Sequence, residues 1–469
     1  MKKLRIGIPL IQQELNGRTG WVAGLYFVKN CINALNTLPV EQVPDIFVFL
    51  PESMNEPLFN SVTQPSWLTL VHFSDETLNS AVHKDTVEQQ INEYQCDVFL
   101  PLMSFPQFNL KGKTLGWIAD FQEKHLPHFF SQDEMLYRKL LADFIMSYSE
   151  KALCISNDVL KDLKNHYPEY AEKGRVVYFR SVLPEESFSK KMEETLTHFN
   201  IHKKYIYMPN QFWVHKNHKL VFNVWKKLKD AGLNYSLICT GFKKDYRCPD
   251  YYDELQSYID DNDLTEQIHL LGFVSREHQI QIYRGASALL QPSLFEGWNT
   301  SLEDAKALGK KIIVSDIPIH REQCEDNAVY FDPHSEDALF YTIKSLWDTL
   351  PHYDATQEKT ARDQYQILIK AFAQDLIHLF HEVNEQKTSL SSDKYFLMGL
   401  PVFFLKHLRT REKDCAERLD LIQQQAKELE ARLKVIHELD DAVTTFRRKF
   451  KTLEENKFVR LFARKVFTE

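Results

Sequence analysis

Several signals are missing from this sequence. No window carries about 18 consecutive apolar residues, so no segment is expected to span a membrane. The opening Met1-Lys2-Lys3-Leu4-Arg5-Ile6-Gly7-Ile8 starts like a secretory leader. Its apolar run is short and broken by Arg5, and no small-residue cleavage site follows, so a first buried strand is the better reading. The seven cysteines (Cys31, Cys96, Cys154, Cys239, Cys248, Cys324, Cys415) include no C-x-x-C pair and are odd in number. That excludes a sequence-evident zinc ribbon or a full disulfide frame and suits reduced thiols in the cytoplasm. A basic excess is also lacking. The formal net charge is −8, so no nucleic-acid partner is expected. Solenoid-period repeats and Gly/Ser/Pro-rich linkers are absent too.

Two similar halves are present. Apolar β-rich runs at Arg5–Leu10, Asp45–Phe49, Thr69–Phe73, Val98–Pro101, Leu115–Ala119, Ala152–Ile155 and Val176–Phe179 alternate with helical stretches. The pattern pauses over Ser181–Phe199. It restarts at Tyr205–Met208, Ser236–Cys239, Ile268–Leu271, Ala288–Gln291, Lys311–Val314 and Ala328–Phe331. Strand–helix alternation with continuous apolar strands indicates parallel sheets covered on both faces. The expected fold is therefore α/β, two Rossmann-like doubly wound domains, residues 1–185 and 196–355, facing a cleft. Ligands in such sheets bind beyond the carboxyl ends of the strands.

Beyond about residue 356 the strands cease. Residues 356–385 read as helices packing back toward the first domain, and 386–469 as a helical extension. In the extension Cys415, Leu419, Ile422, Ala426, Leu429, Leu433 and Ile436 recur at spacings of four and three, and Val443, Phe446, Phe450 and Leu453 continue the series. A 3.5-residue apolar repeat is a coiled-coil seam, so a homo-oligomer is expected; the plainer alternative is a hairpin folded on its own chain. Phe458, Leu461, Phe462 and Val466 among basic residues make the end amphipathic, which suits peripheral contact with the inner face of a membrane.

The string most informative for chemistry is Pro292-Ser293-Leu294-Phe295-Glu296-Gly297-Trp298-Asn299-Thr300-Ser301-Leu302-Glu303-Asp304-Ala305, after a buried strand and opening a helix. Gly297 permits a tight turn, and Thr300 or Ser301 suits an N-cap. Free N–H groups of such a helix start attract a diphosphate. Glu303 could accept from ribose hydroxyls, and Glu296 could hold hydroxyls of a sugar. Hydroxyls, diphosphate and hydroxyls in that order describe a nucleotide sugar.

This string resembles the donor signature F-E-G-x-G-L-P-x-x-E-A of retaining GT-B glycosyltransferases of family 4 (group 1), with six rather than seven residues between the two glutamates. Leu270-Leu271-Gly272-Phe273-Val274-Ser275, Tyr283-Arg284-Gly285-Ala286 and Pro292-Ser293 follow the family's order, and the resemblance runs over roughly residues 1–385. It implies that backbone near Phe273 meets the nucleotide base and that Gly297, Trp298, Asn299, Thr300, Ser301, Leu302 and Glu303 line the donor site. In Met208-Pro209-Asn210-Gln211-Phe212-Trp213-Val214-His215-Lys216-Asn217-His218, Lys216 at a helix start would stabilise the departing diphosphate. Gln211 stands where the family often has an arginine, and Arg284 or Lys306 are candidates to compensate. His215 and His218 read as surface residues rather than metal ligands.

In the first domain, Gly17-Arg18-Thr19-Gly20-Trp21-Val22-Ala23-Gly24 resembles the family's glycine loop, with Gly24 approaching the donor. Asp120 matches the aspartate of the family's His-Asp pair, Ala119 replaces the histidine, and His125 either fills that space or is a helix-end residue. Ser156 reads as a helix N-cap. The resemblance implies a metal-independent, retaining sugar transfer without a cofactor, from a nucleotide sugar to a saccharide or lipid-linked acceptor. Lys216, Glu296, Asp120 and His125 would do the chemistry, in surface polysaccharide or lipopolysaccharide synthesis. Asp261-Asn262-Asp263 is formally a D-x-D but reads as a solvated turn. Competing readings are a catalytically silent GT-B scaffold using its coiled coil, and a GT-B sugar-nucleotide epimerase.

Overall fold

The computed structural model describes residues 3–12, 22–54, 65–79, 84–102, 108, 110–325, 328–386, 424–425, 427–449 and 451. Residues 1–389 form one compact unit and 390–469 another.

The first unit holds two parallel sheets. One contains β1 (Arg5–Pro9), β2 (Asp45–Pro51), β3 (Leu68–Phe73), β4 (Val98–Leu102), β5 (Lys113–Ile118), β6 (Lys151–Cys154) and β7 (Gly174–Val176). Their order is β3-β2-β1-β4-β5-β6-β7. The other contains β8 (Tyr205–Pro209), β9 (Ser236–Thr240), β10 (Ile268–Gly272), β11 (Ala288–Gln291), β12 (Lys311–Ser315) and β13 (Ala328–Phe331), in the order β10-β9-β8-β11-β12-β13. These are the two Rossmann-like sheets that the alternation of strands and helices indicates, in the GT-B arrangement that the resemblance implies. Both sheets reverse strand order beside their first strand, at β1/β4 and at β8/β11, and the loops leaving such a pair diverge to open a crevice.

Strands β6, β8, β9 and β11 are buried along their whole length, which is why they read as unbroken apolar runs. The second sheet's core gathers Phe212, Phe222, Trp225 and Leu228 from the segment after β8, none with exposed surface. Each such side chain contributes about 1.5–3 kcal/mol by leaving water. The seventh strand is displaced from its expected place. It ends at Val176, and Phe179 instead leaves the sheet to pack on Phe27 (5.8 Å) and Phe372 (5.8 Å). Phe372 belongs to the helix Ala355–Glu385, which returns to pack on the first lobe's helix Val22–Leu35. The expected pause is filled by two short helices, Glu186–Ser189 and Met192–His198.

In the second unit an α-helix covers 427–449 and exposes Leu429, Leu433, Ile436, Val443 and Phe446. The remaining seam positions, Cys415, Leu419, Ile422, Ala426, Phe450 and Leu453, and the basic end lie outside the described residues. No helix among the described residues is long and apolar enough to cross a membrane.

Candidate functional site

The β8/β11 pair brings two distant segments together. After β8 the chain makes one tight turn at Val214–Lys216, and the helix expected to start at Lys216 begins at His218. Between them Asn217 adopts φ 60°, a left-handed conformation that asparagine tolerates better than most residues. Its amide donates to the carbonyls of Pro292 (3.2 Å) and Pro333 (2.9 Å), and Leu294 N donates to His215 O at 2.8 Å. The loops after β8 and β11 are thereby stitched together, and Lys216 Nζ meets Glu296 Oε1 at 2.6 Å. The pair is largely screened from water, with side chains 17% and 9% exposed, so the contact is stronger than a surface ion pair.

His215 and His218 are buried rather than at the surface. His218 stacks on Phe212 at 4.6 Å, and His215 Nδ1 faces Arg247 Nη2 at 3.1 Å. Burial, then Lys216, pushes His218 down to about 3. Burial, then Lys216 and Arg247, holds His215 well below the usual histidine range. Both rings are neutral at pH 7, so the pair keeps its single cation at Lys216. Arg247 was not anticipated: it crosses to the first lobe, donating to Gln122 Oε1 at 2.9 Å, while Asp245 meets its charge at 3.1 Å. Neither Arg284 nor Lys306 compensates for Gln211. Arg284 is bound to Glu358 (2.8 Å) and Lys306 to Glu303 (2.9 Å).

The helix after Glu296 runs Thr300–Ala307, and its cap is Asn299, not Thr300 or Ser301: Asn299 Oδ1 accepts from Ser301 N at 3.1 Å. Ser301 Oγ instead donates to Pro209 O at 3.2 Å, Thr300 is exposed, and Leu302 is core. The structure does not bring Glu303 beside Lys216 and Glu296. It has no exposed surface, and its two oxygens accept from Lys306 (2.9 Å), Gln323 (2.8 Å), Arg180 (2.9 Å) and Tyr365 (2.5 Å). Burial alone would raise its pKa; Lys306 and Arg180 more than offset that and hold it below the usual range. The next residue, Asp304, takes two 2.6 Å contacts from Arg276 and one of 2.5 Å from Ser181 Oγ. Counting the family's seven intervening residues from Glu296 arrives at Asp304, a signal that the reading of Glu303 passed over.

The first lobe closes directly on this loop. A Cβ on Gly297 would lie 2.2 Å from Ala119 O and 2.8 Å from Asp120 Cβ, so only glycine lets this loop rest against the end of β5. Asp120 is held by Arg138 (3.3 Å) and by Gln122 N (3.1 Å). Ser156 caps its helix as expected, accepting from Val159 N at 3.0 Å, and also donates across the lobes to Gly297 O at 3.1 Å. His125 stacks on Phe295 at 4.8 Å, beside Glu296, but its Nε2 is engaged by Asp162 at 2.7 Å. Trp298 is buried against Tyr178, 5.5 Å between rings, with Arg180 over it at 5.7 Å. Gly24 sits buried in the first turn of the helix Val22–Leu35, and Gly17 to Trp21 lie outside the described residues. Phe273 is 63% exposed and stacks on Phe242 at 4.4 Å. Two buried donors near the loops, Asn210 Nδ2 and Trp298 Nε1, have no hydrogen-bond partner among the described residues.

Comparison with known proteins agrees with this architecture. Residues 193–363 match the family described as glycosyl transferases group 1, so the chain carries such a domain. It is 27% identical over 238 residues to the O-antigen chain mannosyltransferase RfbU of Salmonella typhimurium, covering 50% of this chain and 61% of that protein. The chain therefore spans somewhat less than two thirds of that curated relative. Sucrose-phosphate synthase from Thermosynechococcus elongatus superposes with a TM-score of 0.59 at 13% identity, over 81% of this chain and 99% of that one. Anabaena HepE in complex with UDP and glucose superposes with a TM-score of 0.57 at 14% identity, over 81% and 100%. These two likenesses show the fold.

Proposed function

We propose that the protein is a retaining glycosyltransferase of family 4 that moves a hexose, mannose by its likeness to RfbU, from a nucleotide sugar to a hydroxyl of a saccharide or lipid-linked acceptor. The observation that carries this reading is the Lys216–Glu296 pair at the β8/β11 switch point. There a cation and a carboxylate stand together beside the helix start at Asn299. Lys216 meets the charge that develops on the leaving diphosphate, and Glu296 holds sugar hydroxyls. The Asn210 amide and Trp298 indole, which lack a hydrogen-bond partner among the described residues, are two further donors for phosphate or hydroxyl oxygens. The acceptor oxygen attacks the anomeric carbon on the face from which the diphosphate oxygen departs. One C–O bond forms as the other breaks, and the acceptor proton passes to a donor phosphate oxygen. No metal or cofactor enters these steps, because Lys216 supplies the positive charge. Asp120 and His125 line the first-lobe side. Glu303 serves the donor indirectly, through its fixed helix, and Phe273 with Phe242 offers a surface for the base.

The product is a piece of surface polysaccharide or lipopolysaccharide, in keeping with the O-antigen role of RfbU. The apolar stripe on helix 427–449 suits self-association, and the basic end suits contact with the inner membrane face. A panel of UDP-, GDP- and ADP-hexoses, assayed for donor hydrolysis and for the anomeric configuration of the product, tests the reaction. An inverted product overturns the retaining mechanism. Nucleotide binding without turnover would favour a silent scaffold, and release of an altered sugar nucleotide without acceptor an epimerase. A monomeric mass for the full chain would reject self-association.

A further inference from the structure

A short helix, Pro318–Cys324, follows β12 and packs behind the donor loop. His320 has no exposed surface, and its Nδ1 lies 2.9 Å from Ser315 O. A carbonyl only accepts, so Nδ1 carries the proton and Nε2 is left as an acceptor. That acceptor faces Asn299 Nδ2 at 3.4 Å. Burial pushes His320 down to about 4, which keeps the ring neutral and this arrangement intact. The Asn299 amide is oriented by its other contact, since its Oδ1 accepts from Ser301 N at 3.1 Å. Its Nδ2 therefore points toward His320, with Gln291 Oε1 at 3.3 Å and Glu296 Oε1 at 3.5 Å.

One turn further, Gln323 grips the main chain of the same residue. Its Oε1 accepts from Asn299 N at 3.2 Å, and its Nε2 donates to Asn299 O at 2.8 Å. The same Nε2 donates to Glu303 Oε1 at 2.8 Å. The side chain of Gln323 thus pairs with Asn299 as a neighbouring strand would, and it is only 5% exposed. Every hydrogen-bonding group of Asn299, backbone and side chain, is fixed, most of them by this helix.

We infer that His320 and Gln323 are positioning residues: through Asn299 they hold Glu296 against Lys216 and fix the start of the helix Thr300–Ala307. This rests on the reading of Lys216 and Glu296 as the donor site. Neither residue touches the proposed donor, and nothing in their sequence neighbourhood, Ser315-Asp316-Ile317-Pro318-Ile319-His320, announces the task.

Three variants of the full chain test it: Gln323→Met, which keeps the shape and removes its two contacts to Asn299 and the one to Glu303; His320→Gln, whose Oε1 can stand in for Nε2; and His320→Asn, which can reach only the Ser315 side. Hydrogen exchange of the amides of 296–303 is read first, because it needs no ligand. Kinetics then use the panel of UDP-, GDP- and ADP-hexoses. Gln323→Met and His320→Asn should speed exchange in that segment by about 10-fold or more through local opening. They should also lower kcat for the best panel donor by about 30-fold, with KM within about 3-fold, as expected for lost alignment. His320→Gln should recover most of both. Wild-type exchange and turnover in Gln323→Met, or equal behaviour of the two His320 variants, would overturn the inference. If the unaltered protein turns over no panel member, the transferase reading fails, while the exchange result still decides whether the helix holds the loop.

Discussion

Replacing Gly297 by alanine isolates the contact between the lobes. Gly297 does not have a left-handed backbone, so alanine fits its own conformation and the whole cost falls on its neighbours. The added carbon would stand 2.2 Å from Ala119 O and 3.2 Å from Ala119 C. An ordinary contact needs about 1 Å more, and a strand-end carbonyl in a packed sheet cannot swing away, so the lobes must part by that amount. Parting strains Ser156 Oγ to Gly297 O (3.1 Å) and the two bonds that Glu322 accepts from Asn157 N (2.6 Å) and Asp158 N (3.0 Å). One neutral and two charge-assisted bonds weakened together come to about 2–5 kcal/mol of lost closure. A 1 Å misplacement at the reacting centre costs on the order of 100-fold in rate. The assay is donor turnover beside thermal unfolding. Turnover should fall about 100-fold while the melting temperature moves by only a few degrees, because each lobe keeps its own core. Turnover within about 2-fold of the unaltered protein would show that the lobes do not need this contact, and the steric reasoning would fail.

Lys216→Met should cost about 2–3 kcal/mol by stranding the mostly buried Glu296, and abolish turnover; adding Glu296→Gln should restore stability but not turnover, and recovered turnover would refute the roles given to the pair. Tyr365→Phe removes the hydroxyl that donates to Glu303 and accepts from Ser181 N, and chemical denaturation should show a loss of about 1–3 kcal/mol. Three buried histidines, His215, His218 and His320, are neutral when folded and take protons when unfolded, so their contribution is complete above the unfolded value near 6.5 and is lost as pH falls below it. Urea unfolding between pH 7 and 5 should therefore weaken by about 1.4 kcal/mol per unit for each, once below that value, and His218→Met, which replaces a ring with no hydrogen-bond partner among the described residues, should remove one such share; an unchanged slope would count against its burial in neutral form.

The alternation of strands and helices was legible because the strands are covered on both faces and carry unbroken apolar runs. That Lys216 and Glu296 come together was foreshadowed by the resemblance to the donor signature, and the structure places their side chains 2.6 Å apart on the loops after β8 and β11. Other features were not, for a shared reason: they depend on contacts between segments far apart in sequence. The burial of His215 and His218 follows from Arg247 and Phe212 closing over them. The engagement of Glu303 requires Arg180 from the segment joining the lobes and Tyr365 from the last long helix. The cap fell on Asn299 rather than on a neighbouring hydroxyl residue because Ser301 is drawn to Pro209 O. His125 stood the right distance along the chain to replace a missing histidine, but Asp162 takes its ring nitrogen.

Glu303 and Asp304 are consecutive, and so are the residues they hold in the connecting segment, Arg180 and Ser181. Two adjacent acids thus grip two adjacent residues of the segment that joins the two sheets. The helix Thr300–Ala307, and with it the loop that leads into it from Glu296, is therefore fastened to the chain segment between the two sheets.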